Sequence, residues 1–234
     1  YGYYGFYWMD YTYIFVIIGA VICLIASARV KSTFNKYSQY RSMSGMTGAQ
    51  AAERILNSAG IYDVTVCHIS GSLTDHYNPV NKTINLSRDV YYGNSIAAAA
   101  VAAHETGHAL QHAKGYSMLK LRSTLVPAVE FASHWVHWIL LAGILMVNSF
   151  PGLLLVGIGL FAIMTLFSFV TLPVEIDASH RALAWLRNSG ITDYQTQGYA
   201  FDALKWAAYT YVIAALSSLA TLLYYIMIYL NRRD

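Results

Sequence analysis

Four stretches without a single Lys, Arg, Asp or Glu constrain this chain most: Thr12 to Ala28, Trp135 to Phe150, Gly152 to Leu172 and Trp206 to Leu230. A helix needs about 20 apolar residues to cross a bilayer, with a working range near 17 to 25. A segment in hydrocarbon must satisfy its own backbone, and a helix does so. The whole chain agrees, with 56% hydrophobic and only 12% charged residues, where about 25% charged is usual for a soluble domain. The expected fold class is therefore a mainly α membrane protein with four transmembrane helices. Ala26 Ser27 Ala28 looks like a signal-peptide cleavage site, but no Lys or Arg precedes the first run, so it reads as a retained anchor with Asp10 just outside it. The aromatic and glycine stretch Tyr1 to Trp8 suits the headgroup level.

Basic residues set the orientation. Of the 15 Lys and Arg, all but Arg232 and Arg233 fall between the first and second spans or between the third and fourth. The positive-inside rule then puts both polar stretches in the cytoplasm and both termini outside, with a tight turn at Asn148 to Gly152 joining spans two and three. The resulting organisation is 1–28, N-terminal segment and first span; 29–133, a cytoplasmic domain; 134–172, spans two and three; 173–205, a cytoplasmic helix; 206–234, the fourth span. A net charge of +3 with dispersed basic residues argues against nucleic acid. Cys23 and Cys67 make no disulfide framework, and Cys67 reads as a reduced thiol. The sequons at Asn81 and Asn85 read as accidental in a cytoplasmic stretch.

Within 29–133, Arg29 to Gln39 can continue the first helix, and Arg41 to Gly45 breaks it. Thr47 caps a short helix running to Leu56, which Asn57 to Gly60 closes. Val64 to Val66 and Lys82 to Ser87 are strand-like, and turn residues lie between them at Ser70 to Ser72 and Asn78 to Asn81. They predict a small antiparallel sheet ahead of the next helix. Such a sheet either offers an edge strand to an extended peptide or only roofs that helix.

The next helix carries the chemistry. Ser95 is a fitting N-cap, Ala97 to Ala100 is strongly helix-forming, and Gly115 is a stop. Inside it lies His104 Glu105 Thr106 Gly107 His108. Two histidines four residues apart project from one helix face, so both imidazoles can bind one zinc ion. Glu105 can act as the general base that takes a proton from a zinc-activated water and passes it to the leaving amine.

Catalytic zinc usually has three protein ligands. His112 lies about 12 Å along the helix from His104, too far to share a metal, and Ala109 Leu110 Gln111 provide no glycine turn to bring it back. Glu175 is the better candidate. Pro173 suits the first turn of a new helix leaving the third span, and an acidic residue at that rim needs a partner. Asp177, about 200° further round, is assigned to orienting a histidine or pairing with Arg181. Should the helix begin later, Glu175 and Asp177 exchange roles.

Ala102 to Gln111, Leu73 Thr74 Asp75 His76 Tyr77, and Leu172 to Ser179 together resemble the YugP-type neutral zinc metallopeptidases of bacterial membranes. The order of span, polar domain, paired spans, polar helix and final span matches along nearly the whole chain. It is more distantly similar to the HtpX-type membrane proteases, in which a glutamate from a later acidic motif ending in Ala-Asp completes the site. Glu175 matches that ligand, whereas Ser179 stands where the Asp would be. The resemblance implies a peptidase of the bacterial cell membrane, with a small α+β, gluzincin-like zinc-peptidase domain.

Further candidates are His76 and Tyr77, which could contact substrate or the developing oxyanion, with Tyr116 and Tyr199 as rivals. Glu130, His134 and His137 share a helix face beside Trp135 and Trp138, and read as an interfacial anchor rather than a second metal site. The reading is a zinc-dependent membrane endopeptidase with one Zn2+ per chain, acting on peptides or proteins, including membrane-associated ones, from the cytoplasmic side. His104, His108 and Glu175 would be its ligands. The rival readings are a non-proteolytic zinc-stabilised scaffold and a metal transporter built on Glu130, His134 and His137.

Overall fold

The structure, a computed structural model, describes the backbone of residues 4–231 and the side chains of residues 13–231. The side chains of Tyr1 to Trp8, of Asp10 and of Arg232 and Arg233, on which the interface and orientation readings draw, fall outside the described residues. The elements in order are α1 (Tyr4–Tyr37), α2 (Gly48–Ser58), β1 (Thr65–Ile69), β2 (His76–Asn78), β3 (Thr83–Ser87), α3 (Arg88–Tyr91), α4 (Ile96–Ala113), α5 (Ser117–Leu145), α6 (Pro151–Asn188) and α7 (Tyr194–Leu230). Among the described residues, four helices are long and apolar enough to cross a membrane: Tyr13–Tyr37, Ser117–Leu145, Pro151–Asn188 and Tyr194–Leu230.

Contacts divide the chain into two units. The first comprises Tyr1–Ile25, Leu121–Leu172 and Tyr211–Asp234. Its core packs Val136 and Leu140 of α5 against Leu154 and Ile158 of α6, with Leu222 and Tyr225 of α7 alongside. The α5–α6 crossing is close at Gly143, where a Cβ would stand 2.6 Å from Leu154 Cα. Residues 146–150 form the turn between these helices, two residues earlier than the expected Asn148 to Gly152, and Pro151 and Gly152 already belong to α6. α5 begins well before the apolar run, because Lys120, Arg122 and Glu130 are good helix formers and Pro127 is accommodated inside the helix.

The second unit, Ala26–Lys120 and Pro173–Thr210, carries the polar chemistry. Its centre is α4. Ala97, Ala102 and Ala109 on one side join Phe34, Leu56, Ile84 and Leu86, while Ala99, Ala100 and Ala103 join Ile55, Ala182, Leu186 and Leu204. A helix apolar on both sides is an interior helix. Small side chains let its neighbours approach closely. Ser95 caps it, Oγ accepting from Ala98 N at 3.1 Å, and Gly115 ends it at φ +64°. Thr47 and Gln50 form a reciprocal capping box at the start of α2.

Two expectations are corrected. The sheet is mixed rather than antiparallel: its order is β1-β3-β2, β1 runs parallel to β3, and only β2 is antiparallel to it. β2 has three residues, too few for an alternating pattern, so His76 and Tyr77 read as loop. The β2–β3 turn is held by Asn78 Oδ1, which accepts from Val80 N and Asn81 N at 2.9 and 3.2 Å. With β2 occupying that side of β3, β1 pairs on the other. The crossing loop between β1 and β2 puts Gly71 at φ +110° and Leu73 at +57°. Asp75 pins its end, accepting from Ser87 N at 2.7 Å and from Ser87 Oγ at 3.0 Å, and burial pushes its carboxyl above the ordinary value despite these bonds.

The second correction concerns Pro173, which lies inside the continuous helix α6 rather than opening a new one. Its ring forfeits one backbone bond. Val174, Ala178, Ala182 and Leu186, buried at four-residue spacing, hold the helix regular beyond it.

Candidate metal centre

α4 and the later part of α6 meet at Gly107. A Cβ there would lie 2.8 Å from the Ala178 carbonyl oxygen and 3.2 Å from Ala178 Cα, so only glycine allows this approach. Glu175, three residues before Ala178, thereby faces the two histidines of α4. His104 Nε2 is 3.1 Å from Glu175 Oε2, and His108 Nε2 is 3.6 Å from the same oxygen. The imidazoles stand edge to face, their planes at 87°. All three side chains are largely withdrawn from solvent, exposed by 12%, 8% and 3% for His104, His108 and Glu175.

The outer nitrogens are also occupied. His104 Nδ1 is 3.1 Å from Ser179 Oγ, and His108 Nδ1 is 3.0 Å from Gln111 Oε1. Each ring can therefore carry its proton on Nδ1 and leave the Nε2 lone pair turned toward Glu175. Gln111 is itself fully buried, its Nε2 donating to Val174 O and to Asp177 Oδ2, both at 2.8 Å. Asp177 Oδ2 also accepts from Arg181 Nε at 2.6 Å.

Two neutral imidazoles and a carboxylate are a fitting donor set for zinc. Tetrahedral zinc with bonds near 2.0–2.1 Å separates its ligand atoms by roughly 3.3–3.4 Å, and the distances of 3.1 and 3.6 Å bracket that figure. The three donor atoms all lie within 4.8 Å of one another. Burial disfavours the His108 imidazolium, but the Glu175 hydrogen bond and the negative charges of Glu105 and Glu175 outweigh it, so the pKa stands above the ordinary histidine value. A cation at this place meets concentrated negative charge. Glu105 is buried on α4 beside His104.

Residues 12–230 match the model of the family described as "Putative neutral zinc metallopeptidase". The chain belongs to this family. It is also 44% identical over 225 residues to the "Putative membrane protease YugP" of Bacillus subtilis (strain 168), covering 95% of this chain and 98% of that one. No solved structure matches the chain significantly. A zinc metallopeptidase family agrees with the donor set formed by α4 and α6.

The other candidates are placed elsewhere. Tyr77 OH bonds His112 Nδ1 at 2.7 Å, so these two pair one helical turn beyond His108. His76 Nδ1 is 2.8 Å from Thr74 O and its Nε2 is 3.3 Å from Asn85 Nδ2. Tyr199 stacks on Tyr37 with ring centroids 5.0 Å apart. Glu130, His134 and His137 are exposed, with His134 Nδ1 3.1 Å from the Glu130 carbonyl oxygen, one turn back on its own helix. Trp135 and Trp138 flank them, exposed as well. Gln111 is the site residue that sequence reasoning missed, and Ser179, noted there only as the departure from the acidic motif, bonds His104. Gln111 at three residues beyond His108 was the available signal, because that spacing puts an amide beside the imidazole.

Proposed function

We propose that this chain is a zinc-dependent membrane endopeptidase holding one zinc ion on His104 Nε2, His108 Nε2 and a carboxylate oxygen of Glu175. The observation that carries the reading is the convergence of these three buried donors on one point. A zinc ion held there would supply Lewis acidity, polarising a water and the peptide carbonyl. Glu105, one residue from His104, takes a proton from the attacking water and returns it to the leaving amine nitrogen. Asp177 and Ser179 act from outside, holding the imidazoles through Gln111 and directly. Burial of Glu175 and His108 keeps competing water from these charges.

The substrate in this reading is a peptide or protein segment, including one at the membrane surface. It enters extended along β2, an edge strand that packs on α4 and carries His76 and Tyr77. The site faces the cytoplasm, by the distribution of Lys and Arg. The deciding experiment is cleavage of casein by the detergent-purified protein and its Glu105→Gln variant, with zinc content determined on both. Loss of cleavage at unchanged zinc is the expected result. Full activity in the variant would overturn the mechanism, and a zinc-stabilised scaffold would show no cleavage by either protein.

A further inference from the structure

The two imidazoles at the centre are held differently. His104 Nδ1 meets the hydroxyl of Ser179, which can donate or accept, whereas His108 Nδ1 meets the amide oxygen of Gln111, which has no exposed surface. A glutamine amide has one acceptor end and one donor end, and which end faces the histidine decides the tautomer. Here the donor end is fully committed. Gln111 Nε2 gives one bond to Val174 O and one to Asp177 Oδ2, each 2.8 Å, and both partners only accept. Turning the amide over would bring its oxygen against a carbonyl and a carboxylate, leaving buried acceptors facing one another. Arg181 Nε, donating to Asp177 Oδ2 at 2.6 Å, holds that side chain in place. The amide oxygen is therefore locked toward His108, which can answer it only with an Nδ1–H.

We propose that Gln111 is a positioning residue for the metal: it fixes His108 with its proton on Nδ1 and its Nε2 lone pair free for zinc. It does so by reading out the α6 turn, Val174 to Asp177, that also carries Glu175. Ligand and orienter thus come into place together when α4 docks on α6. The inference rests on the zinc site proposed above, and its test is zinc affinity, measured apart from proteolysis.

The test compares the detergent-purified full chain with Gln111→Met, Gln111→Glu and His108→Ala, by zinc competition against a chromophoric chelator and by circular dichroism. Methionine keeps the volume and removes both ends of the amide. Glutamate keeps an acceptor for His108 Nδ1 and destroys both donor contacts, setting a carboxylate against Val174 O and Asp177. Loss of an outer hydrogen bond to a metal-bound histidine typically costs ~10–100-fold in affinity. The expected pattern is a loss of that size in Gln111→Met, and a loss at least as large in Gln111→Glu, whose carboxylate meets Val174 O and Asp177 and repels the turn that carries Glu175. Two-bond 1H–15N correlation on the metal-free, histidine-labelled wild type reads the tautomer directly, and neutral His108 should carry its proton on Nδ1. A purely structural Gln111, tying α4 to α6, places no demand on that tautomer. An Nε2-protonated His108, or unchanged affinity in Gln111→Met, overturns the proposal. If Gln111→Met does not fold, the wild-type tautomer decides alone. His108→Ala separates the two readings: should it bind zinc as tightly as wild type, the metal site itself is wrong.

Discussion

At the scale of single residues, the proposed zinc site sets metal against proton at His108, because zinc takes neutral imidazole. Its pKa stands above the ordinary histidine value because Glu175 and Glu105 outweigh the cost of burial. In the metal-free protein, the raised value means that the protonated pair contributes stability fully present below pH ~6.5 and lost as pH rises through the folded-state value. Zinc acts in the other direction. Its affinity should fall as pH drops through a midpoint above ~6.5, and binding near neutral pH should release a proton. Calorimetry in buffers of different ionisation enthalpy reads that release directly, and a midpoint at or below the ordinary histidine value would contradict the charge balance described. Glu175→Gln removes the anionic ligand while keeping its shape. It should lower zinc affinity by more than ~100-fold, beyond what loss of an outer contact costs, with circular dichroism unchanged. The grouping of His104 with His108 was legible because residues four apart share one helix face. Glu175 was legible through the cost of an acid beside a membrane span. Gln111 was legible only in part: its spacing of three from His108 is local, but the groups that lock its amide lie 63 and 66 residues away in the chain, and no local pattern announces them.

At the scale of elements, two glycines do what no other residue can. Gly107 lets α4 lie against the α6 backbone, with Ala178 O only 2.8 Å from where a Cβ would be. Gly107→Ala must push the helices apart by several tenths of an ångström. Overpacking of this kind typically costs about 1–3 kcal/mol, and the shift also withdraws Glu175 from the histidines. The variant should therefore lose thermal stability and zinc affinity together. Wild-type affinity in a folded Gly107→Ala protein would show that the α4–α6 approach does not set the site. Gly143 gives an independent comparison, since its Cβ would meet Leu154 Cα at 2.6 Å within the α5–α6 crossing. Gly143→Ala should cost stability of similar size while leaving the chelator competition unchanged. Sequence reasoning found the caps at Thr47 and Ser95 because a cap is a local hydrogen bond between residues three apart. It missed β2 and the parallel β1–β3 pairing for the complementary reason. A strand of three residues has no period, and pairing direction depends on the path of residues 70–75 rather than on any residue type. Pro173 misled in the same way: its stop signal is real, but burial of Val174, Ala178 and Ala182 overrides it.

At the scale of the whole molecule, the prediction concerns the side of the membrane on which the centre works. Four helices have the length and hydropathy to cross a bilayer. On α1, Phe15 and Leu24 are 63% and 72% exposed, an apolar surface that water would not tolerate over such an area and lipid would cover. Helices alone give no direction. Direction comes from charge, because 13 of the 15 Lys and Arg fall in the two polar stretches, and such residues resist translocation. The turn between α5 and α6 carries none, and Asn148 there is exposed. A cysteine at Asn148, in a background with Cys23 and Cys67 replaced by serine, should react with a membrane-impermeant maleimide on intact cells. A cysteine at the exposed Ser72, in the polar unit that holds His104 and His108, should react only after permeabilisation. The converse pattern would put the centre outside, where its peptides would come from the extracytoplasmic side and Cys67 would lie in an oxidising compartment. Labelling at both positions without permeabilisation would mean that the polar unit and the α5–α6 turn share the outer face, against the span count itself.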